Sequence, residues 1–527
     1  MAKATRGSSM KQTDAPNEPR SSRPRLSPSW RVGAPLLLST LVAFATSLVV
    51  SCVGDDPMAA SDSGPDGSTS DGTVPDSTIP DAKTDGDPPP PGCDTPTDPL
   101  KNPETCLVES FGVFVSSGGS DSNDGSKAKP FKTIGKALAS GKDRVVVCEG
   151  TYAESVEIKA DVEIYSGVTC DFTTAGGKAK VVATKPEYVM AIGKVKTIVV
   201  DLELAGAPGT ATSPNSIGVW AVEARSVSLR NVEVSAENGF NGKDGSAGVT
   251  GTYAAGNGNG NPASADQPGP SKSCSCTSGG VTGGGGGGAP ALSPTAGGEQ
   301  LAGVAPRDGA GGLQSTSCGG LEPNGAGNSG ADRADMTPAV PVTIHGVLSS
   351  SGVWVPAGGQ AGTNGQPGQG GGGGGSRTLE HVGGGGGCGG CGGTGGGGGL
   401  GGGASIAVLS VDSRLTTSSV VLEARLAGTG GDGGTGGAGA PGGFGERGGG
   451  NPNAGAGCYG GDGGKGGNGG AGAGGAGGIS VAVLYRGVKP TGDAVMRFGK
   501  GGSPGTGGAP GINDGPPGVG QDELEMP

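Results

Sequence analysis

The sequence predicts an all-β solenoid from which long, largely irregular glycine-rich loops are ejected. Three observations carry this reading: a succession of short β-branched runs, one short amphipathic helix placed before them, and an internal repeat that resumes after each plunge into glycine. Each run is strand-length, alternating or continuously apolar, and bounded by Gly, Asp, Asn or Pro.

The runs begin near Phe111 with GVFVS (112–116), RVVVC (144–148), SVEI (155–158) and DVEIYSG (161–167), and go on through KTIVVDLEL (196–204), SIGVWAVEA (216–224) and RSVSLRNVEVS (225–235). Between the first two lies Pro130 to Ser140, where Ile134, Ala137 and Leu138 recur at helical spacing. A short helix there suits the first turn of a stacked sheet, whose end otherwise exposes unpaired edges and apolar side chains. The repeat pairs SIGVWAVEAR (216–225) with SIAVLSVDSR (405–414), sharing Ser, Ile, Val, Val and Arg, and SVAVLY (480–485) is a shorter third copy. The first two copies are each followed by another strand-like run and then by glycine, so the turns of one solenoid are expected to resume beyond the loops.

Composition limits the rest. The 527 residues include 121 Gly and 39 Pro, about 30% of the chain, and only 3% aromatics and two histidines, which leaves little for a large enzyme core. Basic residues Arg20, Arg23, Arg25 and Arg31 precede an apolar stretch from Ala34 to Val50, and the string Leu48, Val49, Val50, Ser51, Cys52 closes it. This is the pattern of a bacterial lipoprotein signal, with Cys52 the lipidated first residue of the mature chain. Without residues 1–51 there remain 29 basic and 46 acidic residues, so nucleic acid is excluded as a partner on charge. From Val53 to about Pro103 the chain is Asp, Pro, Ser, Thr and Gly, a self-repelling tether. As a flexible coil it would hold the next domain on the order of 40 Å from the lipid.

With Cys52 lipidated, ten cysteines remain, an even number in an exported chain, which suggests disulfides. Cys93 with Cys106, and Cys148 with Cys170, are close enough in sequence for local bridges, and Cys388 and Cys391 are further candidates, although spacing does not fix connectivity. Cys274-x-Cys276 and Cys388-x-x-Cys391 also admit a zinc reading. Thiols outside the cytoplasm tend to oxidise, so no metal and no cofactor is expected.

GGSDSNDGSKAKPFKTIGKAL (118–138) followed by VVVCEGTYAESVEI (145–158) resembles the opening of pectate-lyase-like right-handed parallel β-helix proteins, particularly exported ones. The matching positions are Pro130, Phe131, Thr133, Ile134, Ala137 and Leu138 of the short helix and the Gly150-Thr151-Tyr152 turn. The resemblance implies a right-handed parallel β-helix and leaves activity open, since such proteins include lyases, hydrolases, adhesins and stalks.

Catalytic chemistry is sparse. Hydrolases of this kind cluster aspartates with a histidine, yet His345 and His381 fall in low-complexity sequence and the Asp55–Asp56 pair lies in the tether. A lyase needs a basic residue beside calcium-binding carboxylates, for which Asp161, Glu163, Asp171, Asp201, Glu203, Arg225 and Arg230 are candidates, but strand alternation places charged residues outward in any case. Asp121, Asn123 and Gly125 resemble a calcium loop superficially and fail its pattern at Gly125 and Lys132.

The glycine tracts are read as mainly irregular, because glycine loses the most freedom on ordering. Two runs, Gly430–Gly450 and Gly460–Gly478, keep glycine at every third position. There a polyproline-II strand is the alternative, its glycine edge against a neighbour and Asp432, Thr435, Pro441, Phe444 and Arg447 pointing away.

The expected organisation is therefore signal (1–51), tether (52–105), parallel β-helix (106–240), glycine-rich insertion (241–403), resumed strands (404–427), glycine-rich insertion with triplets (428–477), final strand (478–498) and Gly/Pro-rich acidic tail (499–527). The expected function is that of a lipid-anchored, non-catalytic structural or adhesive protein of the outer membrane or cell surface. Its expected partners are the membrane and polysaccharide or extracellular matrix. The alternative is a carbohydrate-active β-helix that binds or cleaves acidic polysaccharide.

Overall fold

The computed structural model describes residues 90–289, 325–450 and 456–527, apart from a few positions, together with Cys318. The signal, Cys52 and most of the tether lie outside the described residues. Two short helices, α1 (Asp98–Lys101) and α2 (Pro103–Cys106), lead into β1 (Val113–Val115) and then α3 (Ile134–Ala139). From there the chain coils, each turn giving three strands. The first full turn is β2 (Arg144–Cys148), β3 (Gly150–Ala153) and β4 (Val156–Ile158); the next is β5 (Val162–Val168), β6 (Ala179–Val182) and β7 (Met190–Ile192). Then come β8 (Lys196–Val200), β9 (Leu202–Ala205) and β10 (Ser216–Val222), followed by β11 (Ser226–Arg230) and β12 (Glu233–Ser235). A long excursion follows, holding the hairpin strands β13 (Lys272–Ser275), β14 (Val281–Gly284), β15 (Gly346–Leu348) and β16 (Trp354–Pro356). The coil resumes with β17 (Ser405–Val411), β18 (Leu415–Glu423), β19 (Ser480–Arg486), β20 (Thr491–Arg497) and β21 (Gly520–Glu525).

All strand-to-strand pairings within the coil are parallel. One sheet runs β1-β2-β5-β8-β11-β18, a second runs β3-β6-β9-β12-β18, and a third runs β4-β7-β10-β17-β19-β21. β18 is long enough to serve both of the first two sheets, as β20 does beneath it. The three repeat copies are neighbours in the third sheet, with Ser216 opposite Ser405 and Ser405 opposite Ser480. Inward side chains such as Val147, Val162, Ile164, Val199, Leu204, Val219, Leu229, Val234 and Leu422 form one continuous core. Each fully buried residue of this type contributes about 1.5–3 kcal/mol relative to exposure.

α3 covers the open end of that core with Ile134 and Ala137. It forms there because Thr133 caps it, accepting from the Lys136 amide, and because the Glu154 carboxylate accepts from the Ile134 and Gly135 amides at 2.8 and 2.9 Å. At the corner between the first two sheets, Asp201, Asn231 and Ser419 take positive φ in successive turns (55, 51 and 54°). Short polar side chains tolerate this region best. Asn231 donates its amide to Asp201, while burial, the larger effect, raises the Asp201 carboxyl above its ordinary range. A carboxyl raised in the folded state stabilises the fold in its protonated form, a contribution complete below the ordinary carboxylate pKa and lost as pH rises through the raised value. Asp201→Asn is therefore expected to raise the melting temperature at pH 7 and leave it unchanged near pH 3. Thermal unfolding of both proteins at the two pH values checks this, and a lower Tm for the variant at pH 7 contradicts it.

The described glycine-rich tracts correct the expectation of largely irregular loops. They run as extended strands whose hydrogen bonds recur every third residue, the period of polyproline II. Gly239, Gly242, Gly245, Gly248 and Gly251 donate to Leu426, Thr429, Asp432, Thr435 and Ala438 at 2.7–2.9 Å. Gly384, Gly387, Gly390, Gly393, Gly396 and Gly399 donate to Cys458, Gly461, Gly464, Gly467, Gly470 and Ala473. Residues 383–403 form the axis of the bundle, bonded to segments 240–258, 285–288, 359–374, 428–449 and 458–476. None of the glycines in residues 383–403 takes a positive φ. They are needed because the strands approach too closely for a side chain: a Cβ on Gly396 would meet the Gly434 carbonyl and one on Gly393 the Gly437 carbonyl, far inside contact distance.

Each excursion leaves the coil between the second and third sheets, runs out, and returns. Those of consecutive turns stack in register. Glu233 pairs with Val421, and the same offset of 188 residues continues outward as the Asn238, Asn241 and Asp244 side chains accept from the Leu426, Thr429 and Asp432 amides. In the following layer the offset is 74, from Asp412–Arg486 to Asp432–Thr506. The bundle thus prolongs the stacking order of the coil.

Candidate functional site

Sheet pairing brings Glu157 of β4, Ala191 of β7 and Trp220 of β10 into one row on the outer face of the third sheet. Tyr188, only 8% exposed, lies against Trp220 with ring centroids 5.8 Å apart. Farther along the same face the hairpin β15–β16 packs down, burying Trp354 against Ile217, Ile406, Leu409, Val481 and Leu484. The hairpin tip reaches back over the shelf: the Trp220 Nε1–H donates to the Gly352 carbonyl at 2.9 Å, and Asn215 donates to the Trp354 carbonyl at 2.8 Å. Gly352 has φ 77° and a Cβ there would press on Val222 and the Trp220 ring, so glycine is required at this contact.

Two cavities flank Trp220. One of about 310 Å³ is lined by Pro214, Ile217, Trp220, Trp354, Val355 and Glu187. The other, about 320 Å³, is lined by Glu157, Lys159, Tyr188, Ala191, Trp220 and Ser351. The Lys159 ammonium, 2.5 Å from Glu157, and the Tyr188 hydroxyl hold the Glu157 carboxyl below its usual range. Burial, then the bond to Glu157, push the Tyr188 phenol up to about 12. Glu187 accepts from the Ser213 hydroxyl at 2.6 Å. Both carboxylates are therefore engaged as acceptors, and the groove offers aromatic faces with polar edges, which suits binding of a ring or chain lying on Trp220.

The charged candidates are spread over the coil instead. Asp161 pairs with Arg225 at 2.6 Å, its carboxyl held low first by the Lys196 amide and also by that guanidinium. Glu163 is engaged by Arg144 and Tyr165, Glu203 by Lys180, Asp171 by Thr169, and Arg230 by Ser228. Asp121 accepts from the Lys132 and Thr133 amides beside α3, and Gly125 lies under the Phe131 ring. Neither His345 nor His381 lines either cavity; His345 precedes β15, its carbonyl accepting from the Ala357 amide at 3.0 Å, and His381 Nδ1 meets the Arg377 carbonyl at 2.6 Å. Among the described residues no three His, Cys, Asp or Glu side chains are grouped to hold a metal.

The ten described cysteines are joined in five pairs. Cys93 bonds Cys106 and Cys148 bonds Cys170. Cys388 and Cys391 bond Cys274 and Cys276, respectively, and Cys318 bonds Cys458. The four cysteines of the zinc reading are consumed as two parallel bridges. Cys388 and Cys391 are one polyproline-II turn apart and share an edge, as do Cys274 and Cys276 in a β-strand.

Two sets of residues were not singled out in the sequence. Tyr188 and Trp220 stand in strand-like text, and an outward Trp in a strand is a usable but weak signal. Asn241, Asp244, Asp332, Asp335, Asp462 and Asn468, spaced by multiples of three within each segment, cap neighbouring amides, a phase visible in NGFNGKDG (238–245).

No helix among the described residues is long and apolar enough to cross a membrane. Residues 117–203 match a family described as a protein of unknown function (DUF1565), one associated with parallel β-helix proteins. No curated protein and no solved structure matches the chain.

Proposed function

We propose that this is a lipid-anchored, non-catalytic structural or adhesive protein of the outer membrane or cell surface, whose coil is a right-handed parallel β-helix of the pectate-lyase-like kind. Parallel crossovers take the right hand in nearly all cases. The observation that carries the reading is the exposed outer face of the glycine bundle. Small side chains repeat there in both directions: Asn241, Asp244, Ala247 and Thr250 over Thr429, Asp432, Thr435 and Ala438, with Ser503 and Thr506 beyond, nearly all of them exposed. Such a face can meet an extended polymer at many weak, regularly spaced contacts.

The second reading, a β-helix that binds or cleaves acidic polysaccharide, is favoured by the aromatic groove at Trp220, with Lys159 beside it. The test uses the Cys52→Ser form, expected in the soluble fraction because it lacks the lipid, screened on polysaccharides and matrix with and without calcium, scoring binding and unsaturated products. Thr429→Arg/Thr435→Arg should weaken binding at least tenfold, and Trp220→Ala should leave it within twofold. The reverse pattern moves the site to the groove, and unsaturated products lost in Trp220→Ala overturn the non-catalytic reading.

A further inference from the structure

The last layer of the bundle is shorter than the one it covers. Residues 499–508 lie in the track between the outgoing arm (428–449) and the returning arm (457–478) of the preceding layer. Gly502, Gly505 and Gly508 donate to the carbonyls of Gly478, Gly475 and Gly472 at 2.9–3.0 Å, and Ser503 and Thr506 accept from Gly430 and Gly433 at 2.9 and 2.7 Å. At Ala509 the chain turns back, the Ile512 amide closing on the Ala509 carbonyl.

The two arms beneath continue for four more triplets. On the returning arm the carbonyls of Gly469, Gly466, Gly463 and Gly460 extend the row of acceptors that Gly472, Gly475 and Gly478 began. Among the described residues they accept no backbone hydrogen bond. On the outgoing arm the Gly436 and Gly442 amides extend the row begun by Gly430 and Gly433 and likewise have no backbone partner. Between them Gly439 and Gly445 are capped from the side, by Asn468 and Asp462 at 2.9 and 2.8 Å. Gly436, Gly442, Gly445, Gly460 and Gly463 remain partly open to solvent.

We propose that this continuation of the track, unpaired among the described residues and about 37 Å long for twelve residues at the polyproline-II rise, docks a single extended strand from another polypeptide. The occupant must carry glycine at every third residue. The occupied part of the track states the rule: a Cβ on Gly502, Gly505 or Gly508 would strike the carbonyl of Gly428, Gly431 or Gly434, whereas Ser503, Pro504 and Thr506 fill the other two positions of each triplet. The Gly437 and Ala440 carbonyls prolong that wall alongside the unpaired part. The ligand class is therefore (Gly-x-x)n with proline allowed at x, where it also lowers the entropy lost on ordering. The inference concerns a different surface from the small-polar face and stands or falls independently of it.

The test uses the mature lipidated protein in detergent and a fluorescent peptide of sequence Gly-Ser-Pro-Gly-Thr-Pro, repeated twice. A control peptide has alanine at each glycine. The glycine peptide should bind saturably and the alanine peptide at least tenfold more weakly. Hydrogen exchange followed by mass spectrometry should slow in 436–446 and remain unchanged in 359–374. Asp462→Arg/Asn468→Arg, which places two long side chains across the track, should weaken binding at least tenfold while leaving exchange elsewhere as in the parent. Absence of binding, equal affinity for both peptides, protection outside 436–446, or undiminished binding to the double variant would each overturn the proposal.

Discussion

Replacing Gly396 by valine is expected to destabilise the glycine bundle by about 3 kcal/mol, the upper end of the usual cost of overpacking. Its amide donates to Gly470 and its carbonyl accepts from Gly362, so the strand is held from two sides while the new Cβ meets the Gly434 carbonyl. The obstacle is backbone, which cannot move aside as a side chain would. Thr435→Val, three residues from the neighbouring Asp432 on the exposed edge, should change stability by less than about 0.5 kcal/mol. Denaturant midpoints of the two variants measure the difference. Equal midpoints would mean that the close approach of residues 383–403 to 428–449 is not a feature of the folded protein.

The twin bridges Cys274–Cys388 and Cys276–Cys391 should show strong non-additivity. They close loops of nearly the same length, with sequence separations of 114 and 115. On the chain-entropy model, removing both costs about 7 kcal/mol, about 5 for the loop of more than a hundred residues released in the unfolded chain and about 2 for the small ring between the bridges. Removing either alone costs about 2 kcal/mol, because the surviving bridge still closes the long loop and only a ring of a few residues is opened. Paired Cys→Ser variants, made one bridge at a time and then together, supply the double cycle. Two single losses that sum to the double loss would show that the bridges constrain separate parts of the chain.

The coil was legible in the sequence because its physics is local. Each strand alternates within itself, and the shared SIGVWAVEAR and SIAVLSVDSR texts pointed to turns that the structure stacks as β10 and β17. The glycine bundle was legible only at its rim. In 428–449 one face of each triplet is exposed and carries Thr429, Asp432, Thr435 and Ala438, so a period of three is printed in the sequence. Residues 383–403 have neighbours on every side, glycine is demanded at nearly all positions, and the period vanishes from the text where the packing is tightest. The reading of irregular loops failed there because it weighed the entropy of glycine without the hydrogen bonds that close approach permits. Trp220 escaped notice for a different reason: what makes it a groove wall is Gly352, 132 residues downstream. The partners of Cys388 and Cys391 were hidden in the same way, since these residues reach Cys274 and Cys276 only after the bundle has assembled.

The constant offsets of 188 and 74 residues have a consequence for how this molecule can vary. An excursion that gains one triplet on the way out and one on the way back keeps every inner rung in phase and returns to the third sheet in the same register. Reach is therefore quantised, in steps of six coded residues and about 9 Å of height. Any other insertion within an arm shears the layers against each other. The excursions behave as a telescoping mast mounted on a fixed base, and their reach from the coil becomes an inheritable quantity that can change without touching the turns that support it.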